Sequence, residues 1–298
     1  MNPLALLKSL RPLQWVKNGL VFLPFVFAVD IAWSIYDLDP IPELLLKLVI
    51  VASAFCAVSS AIYLLNDLMD RSEDWLHPVK RNRPIASGKV SPPVAGAVMV
   101  VLAVSGLVVM TLVEPLLGVA GGLYSVINIG YSFGLKQVVL LDAFAVTSGY
   151  VIRAVAGAVA IDVTASPWLY TTTGAGALFI VLGRRFSEAR LAGDTAQKQR
   201  TVLKDYSGSF INQLLILSGA GAWLSYTLYT VEATNLPDNN TMLFTLPMVT
   251  FGLFRYLFLL NDSEHAEAPE QLMIQDLPLV LSIVCWVAVS TLVLLLNN

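Results

Sequence analysis

Charge is scarce in this sequence. Only 13% of its 298 residues are Asp, Glu, Lys or Arg, against roughly 25% in a soluble domain. So few charged groups cannot wet the surface of a water-soluble fold of this size, which excludes a soluble enzyme and a disordered chain. Histidine occurs twice, at His77 and His265, and neither sits in a triad context. Cysteine also occurs twice, and Cys56 and Cys285 both lie inside apolar runs. They read as small buried hydrophobes, not as a disulfide or a metal clip. The formal net charge is −3, so the basic surplus of a nucleic-acid-binding surface is missing too.

What is abundant is apolar sequence, 56% of the chain, with a mean hydropathy of +0.72. A membrane helix needs roughly 17–25 mostly apolar residues. Nine runs meet that length: 19–36, 44–65, 93–113, 115–133, 138–161, 167–187, 210–231, 241–260 and 277–296. They are not the alternating ten-residue segments of a barrel, and run 19–36 lacks the cleavage site of a signal peptide. The expected fold class is all-α: a polytopic membrane protein with nine transmembrane helices forming a single membrane domain over 1–298. All but two of the 18 cations, Lys47 and Arg153, fall on one side of that arrangement. Positive residues favour the cytoplasmic side, so the N-terminus is expected inside. The acidic stretch 262–276 resists this pattern only weakly, because acids count little in it.

Two polar stretches, 66–91 and 188–209, are both expected on that cytoplasmic side, and chemistry is sought there. In the first, Asp67, Asp70 and Asp74 are spaced three and four apart, which puts them on one helix face. Three stacked carboxylates repel unless something compensates. Oxygen ligands in this number suit Mg²⁺, held by one or two carboxylates plus substrate phosphates. The cations Lys80, Arg81 and Arg83 follow at once, so a diphosphate site is the functional reading. The competing reading is a solvated helix end whose acids offset the basic loop. The location of the acids at the end of an apolar span favours function, because ionisable groups there are costly. His77, followed by Pro78, reads as a turn or surface residue.

The other candidates are single anomalies. Arg184 and Arg185 stand four and three residues from Glu188, so cations and acid share a face suited to phosphate; the alternative is interfacial anchoring of the span. Arg153 lies in the middle of a span, where arginine costs about 2.5–3.5 kcal/mol on insertion scales. Contact with a lipid or donor phosphate competes with a purely structural pairing. Asp142, in an apolar run, could orient Lys136 or bind metal through water. Lys136, and Lys17 with Asn18, read by themselves as interfacial residues.

The run Asn66-Asp67-x-x-Asp70-x-x-x-Asp74 resembles the first aspartate-rich motif of the UbiA superfamily of intramembrane prenyltransferases. Further stretches resemble its decaprenyl-phosphate phosphoribosyltransferase branch. They are Arg11-Pro12-Leu13-Gln14-Trp15-Val16-Lys17-Asn18, His77-Pro78-x-Lys80-Arg81-x-Arg83-Pro84-Ile85-Ala86, Tyr131-x-x-Gly134-Leu135-Lys136, Arg153-Ala154-x-Ala156-Gly157 and Gly183-Arg184-Arg185-x-x-Glu188. The resemblance runs from about Arg11 to Asp276. It implies nine membrane helices and Mg²⁺-dependent transfer of a 5-phosphoribosyl group from phosphoribosyl diphosphate to a polyprenyl phosphate. It implies Asp67, Asp70 and Asp74 as metal-holding catalytic residues, and Lys17, Asn18, Asn66, Lys80, Arg83, Tyr131 and Lys136 as donor-phosphate contacts. Asp142, Arg153, Arg184, Arg185 and Glu188 are implied as lipid-phosphate or donor contacts. A plasma-membrane location with the site facing the cytoplasm follows, and a homotrimer rests on the resemblance alone. The sequence departs from prenyl-transferring members in having one acid, Glu188, among arginines where they carry a second Asp-x-x-x-Asp. Two other readings compete: a true prenyltransferase, which the missing motif disfavours, and a small-molecule transporter, for which no repeat with broken helices in matched halves is found.

Overall fold

The computed structural model describes residues 3–29, 31–164, 166–196, 205–233, 236, 239–262 and 275–296, the side chains of 191–196 excepted. Parts of both the 188–209 and 262–276 stretches, His265 included, therefore lie outside the described residues.

The described residues form helices, with two isolated bridges and no strand. In order these are α1 (Pro3–Ser9), α2 (Leu23–Val26), α3 (Ile41–Met69), α4 (Arg71–Leu76), α5 (Pro92–Val113), α6 (Pro115–Phe133), α7 (Leu141–Ala160), α8 (Pro167–Ala196), α9 (Gly208–Glu232), α10 (Leu246–Asn261) and α11 (Leu277–Leu296). A long 3-10 segment spans Pro12–Phe22, and shorter 3-10 turns lie at Lys80–Asn82, Leu135–Gln137 and Thr241–Thr245.

Among the described residues seven helices are long and apolar enough to cross a membrane: α3, α5, α6, α7, α9, α11 and the stretch Thr241–Asn261 that ends in α10. Two of the nine expected spans differ. The 167–187 run lies inside α8, which is long enough at 30 residues; its threonines, glycines and two arginines dilute the apolar character. The 19–36 run is not one helix. It is the end of a 3-10 turn, the four-residue α2 and an irregular segment. Pro24 cannot donate the helical hydrogen bond, and the Ser34 hydroxyl accepts from the N–H groups of Tyr36 and Asp37 in a local turn, an alternative to helix that serine offers readily.

The contacts group into two compact units. The first comprises Met1–Leu23, Ile41–Leu135 and Ile152–Asp162; the second comprises Pro24–Pro40, Lys136–Val151 and Val163–Asn298. In the first, α3 is the spine. A Cβ on Gly106 of α5 would lie 2.6 Å from Val58 Cγ2 and 3.0 Å from the Ala54 carbonyl oxygen, so the two helices approach this closely only because residue 106 has no side chain. At one end of α3, Leu64 packs with Ala5, Ile85, Val90 and Ala95. Buried Ile85 pins the polar 66–91 segment onto the helix end. On α5, Val100, Val101, Val104, Val108 and Leu112 are exposed apolar residues at helical spacing, a face for lipid.

The second unit is built on Phe179 and Leu182 of α8, Leu215 of α9, Tyr256 and Leu260 of α10, and Leu279 of α11. A smaller cluster joins Tyr206 and Ile211 to Val139, Leu140 and Phe186. Arg255 holds Asp276 through Nε and Nη2, at 3.0 and 2.8 Å, while Asp276 also accepts from the Leu279 N–H and so caps α11.

Candidate active site

Each unit carries its own cluster of charged side chains. In the first, α3 ends at Met69 and α4 begins at Arg71, with Asp70 as the joint. The Asp70 N–H still reaches the Asn66 carbonyl at 2.9 Å, and the Asp74 N–H reaches the Asp70 carbonyl at 2.8 Å. Helical spacing therefore survives the joint. Asp67 and Asp74 are both buried, and both are met by one guanidinium. Arg83 Nη1 lies 3.2 Å from Asp67 Oδ1 and 2.7 Å from Asp74 Oδ2. Arg11 Nη2 approaches the same Asp67 oxygen at 2.5 Å and lies 4.8 Å above the Tyr63 ring. Arg11 adopts φ 55, which is disfavoured for a residue with a Cβ and turns the chain out of α1. Asn66 Oδ1 is buried without a hydrogen-bond partner among the protein groups.

The same unit holds Arg153. It is buried and donates through Nε to Asn18 Oδ1 at 2.6 Å and through Nη2 to the Tyr124 hydroxyl at 3.1 Å. Its guanidinium carbon sits 4.7 Å from the Tyr124 ring centroid and 5.6 Å from that of Phe55. Asn18 in turn donates to Cys56 Sγ at 3.0 Å, and Trp15 Nε1 donates to Ser60 Oγ at 3.1 Å. These contacts hold the 3-10 segment Pro12–Phe22 along α3, although 3-10 runs longer than three or four residues are uncommon.

In the second unit, Asp142 is fully buried. Arg185 Nε donates to its Oδ2 at 2.6 Å, and the Tyr206 hydroxyl donates to its Oδ1 at 2.6 Å. Arg185 Nη1 reaches Glu188 Oε2 at 2.6 Å, and Arg184 Nε reaches Glu188 Oε1 at 3.0 Å. The shared helix face expected from the spacing is thus present. Arg185, 2% exposed, is no interfacial anchor. With both Asp142 oxygens engaged, Asp142 acts through Arg185 and Tyr206. Burial first, and the Asp142 hydrogen bond second, push the Tyr206 hydroxyl above its ordinary pKa, so it stays protonated and donating at neutral pH.

The remaining expected residues are placed as follows. Lys17 is half-buried beside Asn18, Lys80 opens the Lys80–Asn82 turn, Tyr131 is half-buried near the end of α6, and Lys136 lies in the Leu135–Gln137 turn. Contact residues outside the expected site set include Arg11, Phe55, Tyr124 and Tyr206. Arg11 belongs to a stretch the resemblance had marked. The two α3 and α6 aromatics look like ordinary core residues, and no local pattern singles out Tyr206.

Among the described residues no group of three or more His, Cys, Asp or Glu is arranged to hold a metal. The donor set nevertheless fits Mg²⁺. Two carboxylates converge on one point through Arg83, and the orphaned Asn66 amide oxygen lies next in sequence. Mg²⁺ commonly takes only one or two protein carboxylates and completes its shell with phosphate oxygens and water.

Residues 21–275 match the family model described as the UbiA prenyltransferase family. The chain is 32% identical to decaprenyl-phosphate phosphoribosyltransferase of Mycolicibacterium smegmatis, over 95% of this chain and 90% of that protein. It is 33% identical to the protein of that name from Mycobacterium tuberculosis, over 95% and 92%. In fold it is similar to a UbiA homologue from Archaeoglobus fulgidus solved with DMAPP and Mg²⁺, with a TM-score of 0.73, 17% identity and coverage of 97% and 98% of the two chains.

Proposed function

The chain belongs to the UbiA prenyltransferase family, and we propose that within it the chain transfers a 5-phosphoribosyl group from phosphoribosyl diphosphate to a polyprenyl phosphate. It is a multi-pass membrane enzyme, a pentosyl-transferring glycosyltransferase. The observation that carries this reading is the 32–33% identity to proteins of that activity over 95% of the chain. The second unit agrees with it. Where prenyl-transferring members carry a further aspartate pair, this chain has Arg184 and Arg185 gripping Glu188, a face suited to phosphate.

In the reaction, the bond from the ribose anomeric carbon to the diphosphate breaks, and a bond from that carbon to an acceptor phosphate oxygen forms. The acceptor is a phosphate monoester, already anionic at neutral pH, so no strong general base is required. That suits a chain with only two histidines. Negative charge gathers on the departing diphosphate. Asp67, Asp70 and Asp74, with Asn66 Oδ1, are the groups that would hold Mg²⁺, which supplies Lewis-acid neutralisation of that charge. Arg83 and Lys80 add positive charge fixed in advance, and Arg11 pairs with Asp67 and orients it. Lys17, Asn18, Tyr131 and Lys136 are proposed donor-phosphate contacts. Arg185, oriented by Asp142, and Arg184, Glu188 and Arg153 are proposed contacts to lipid or donor phosphate. The one-sided distribution of cations supports a plasma-membrane placement with these residues facing the cytoplasm.

The test is mass spectrometry of lipids after incubation of the purified protein with phosphoribosyl diphosphate, Mg²⁺ and polyprenyl phosphates of several lengths. The expected product is the lipid phosphate carrying one added phosphoribosyl group. Prenyl transfer from a prenyl diphosphate, with no ribosylated lipid, would overturn the reading.

A further inference from the structure

One hydroxyl in the second unit makes two hydrogen bonds at the start of α7. The Tyr206 oxygen accepts the Leu140 N–H at 3.0 Å and donates to Asp142 Oδ1 at 2.6 Å. Leu140 has φ 69, a left-handed conformation that disfavours a residue with a Cβ and persists where its surroundings over-determine it. Leu140 ends the short connection that begins with the Leu135–Gln137 turn and carries Lys136. The other oxygen of Asp142 holds Arg185 Nε at 2.6 Å. A single side-chain atom therefore links the loop of one proposed phosphate contact to the guanidinium of another.

The ring of Tyr206 is fixed independently of its hydroxyl. It packs with Ile211, Val139, Leu140 and Phe186 and stacks on Phe210 at 6.3 Å between centroids. Packing and polar clamping are therefore separable, since phenylalanine would keep the first and lose the second. Without the hydroxyl, the Leu140 N–H loses its acceptor and Asp142 Oδ1 loses its donor. Asp142 would then be held at one oxygen instead of two, and the Arg185 Nε bond that helps set the guanidinium plane would loosen, while Nη1 keeps Glu188.

From this geometry we propose that Tyr206 is a positioning residue of the transfer reaction. Its hydroxyl holds the Lys136 loop and, through Asp142, Arg185 in the arrangement that binds an anionic phosphate group. The proposal rests on the function given above for the meaning of a turnover assay, but binding of inorganic diphosphate tests it separately.

The experiment compares the full-length protein with Tyr206→Phe, Lys136→Ala and the double variant, all in lipid nanodiscs. Three quantities are read: KM and kcat for phosphoribosyl diphosphate, the Kd of inorganic diphosphate with Mg²⁺ by calorimetry, and Tm. One lost charge-assisted hydrogen bond and the disorder that follows correspond to about a tenfold weakening. Tyr206→Phe is therefore expected to raise KM and Kd about tenfold while kcat changes less. The double variant is expected to bind worse than Lys136→Ala by less than the tenfold of Tyr206→Phe alone, because the Lys136 arm is already gone and only the Arg185 arm is left to lose. A lower Tm with unchanged KM and Kd, or fully additive effects, would overturn the proposal. Where Tyr206→Phe folds poorly, adding Leu140→Gly relieves the backbone demand at φ 69 without rebuilding the link to Asp142. KM and Kd should then stay raised; their return to the parent values would also overturn it. A parent protein that makes no ribosylated lipid refutes the function, whereas unchanged diphosphate binding in Tyr206→Phe refutes the role of Tyr206.

Discussion

Replacing Arg83 by glutamine should make the stability of the protein depend on Mg²⁺. Arg83 Nη1 is shared by Asp67 and Asp74, at 3.2 and 2.7 Å, and both carboxylate side chains are 3% exposed. Removing one partner of a fully buried ion pair costs about 3–5 kcal/mol, because the remaining charge is left uncompensated. Arg83 itself is 30% exposed, and Arg11 still serves Asp67, so water and the second arginine reduce the effect to about 2 kcal/mol. A divalent cation between the two aspartates would take the place of the lost charge. Ligand at a hundred times its Kd stabilises the folded state by about 2.7 kcal/mol. Thermal unfolding in detergent, followed by intrinsic tryptophan fluorescence with and without Mg²⁺, reads this directly. The expected result is a Tm several degrees below the parent in chelator and a Mg²⁺-induced rise larger than in the parent, where Arg83 competes for the same oxygens. Equal Mg²⁺ shifts in the two proteins would show that Asp67 and Asp74 do not hold the cation.

Three further outcomes are expected. Asp67→Asn and Asp70→Asn should each abolish turnover in folded protein, and full activity with unchanged Mg²⁺ dependence would remove them from the metal set. Arg185→Lys keeps the charge but loses the planar fork that spans Asp142 and Glu188; kcat/KM should fall about a hundredfold, some 2.7 kcal/mol of transition-state stabilisation, and a loss under threefold would contradict the orientation argument. Arg153→Met leaves the Asn18 amide oxygen and the Tyr124 hydroxyl unpaired, destabilising the fold by about 1–3 kcal/mol, and should also raise KM for an anionic substrate. A lower Tm with KM intact would make Arg153 purely structural.

Much of the fold is legible because a membrane simplifies the code. Long apolar runs become helices when no water is present to satisfy the backbone, and the 277–296 run coincides with α11. The 19–36 run fails because hydropathy is blind to Pro24 and to the serine turn at Ser34. The Asp67–Asp74 pair was readable because helical spacing survives the joint at Asp70, and Arg184, Arg185 and Glu188 were readable for the same reason. Arg11 and Tyr206 were not readable as contacts. Arg11 lies 56 residues from Asp67, and Tyr206 lies 64 from Asp142, and no periodicity carries information over such distances. Asp142 was visible as a lone acid in an apolar run, but its bonds to Arg185 and Tyr206 were not, because both partners lie more than forty residues away.

The cage around Arg153 has a consequence for the order in which the chain can be assembled. An arginine in a spanning helix resists release into lipid by about 2.5–3.5 kcal/mol on translocon scales. Asn18, Phe55 and Tyr124 help to relieve this, and each of these three lies upstream of residue 153. A ribosome making this protein has therefore already delivered the 3-10 segment, α3 and α6 to the membrane when α7 emerges. The most awkward residue of the bundle arrives after its receptacle, so its insertion and its docking can be one event during biogenesis.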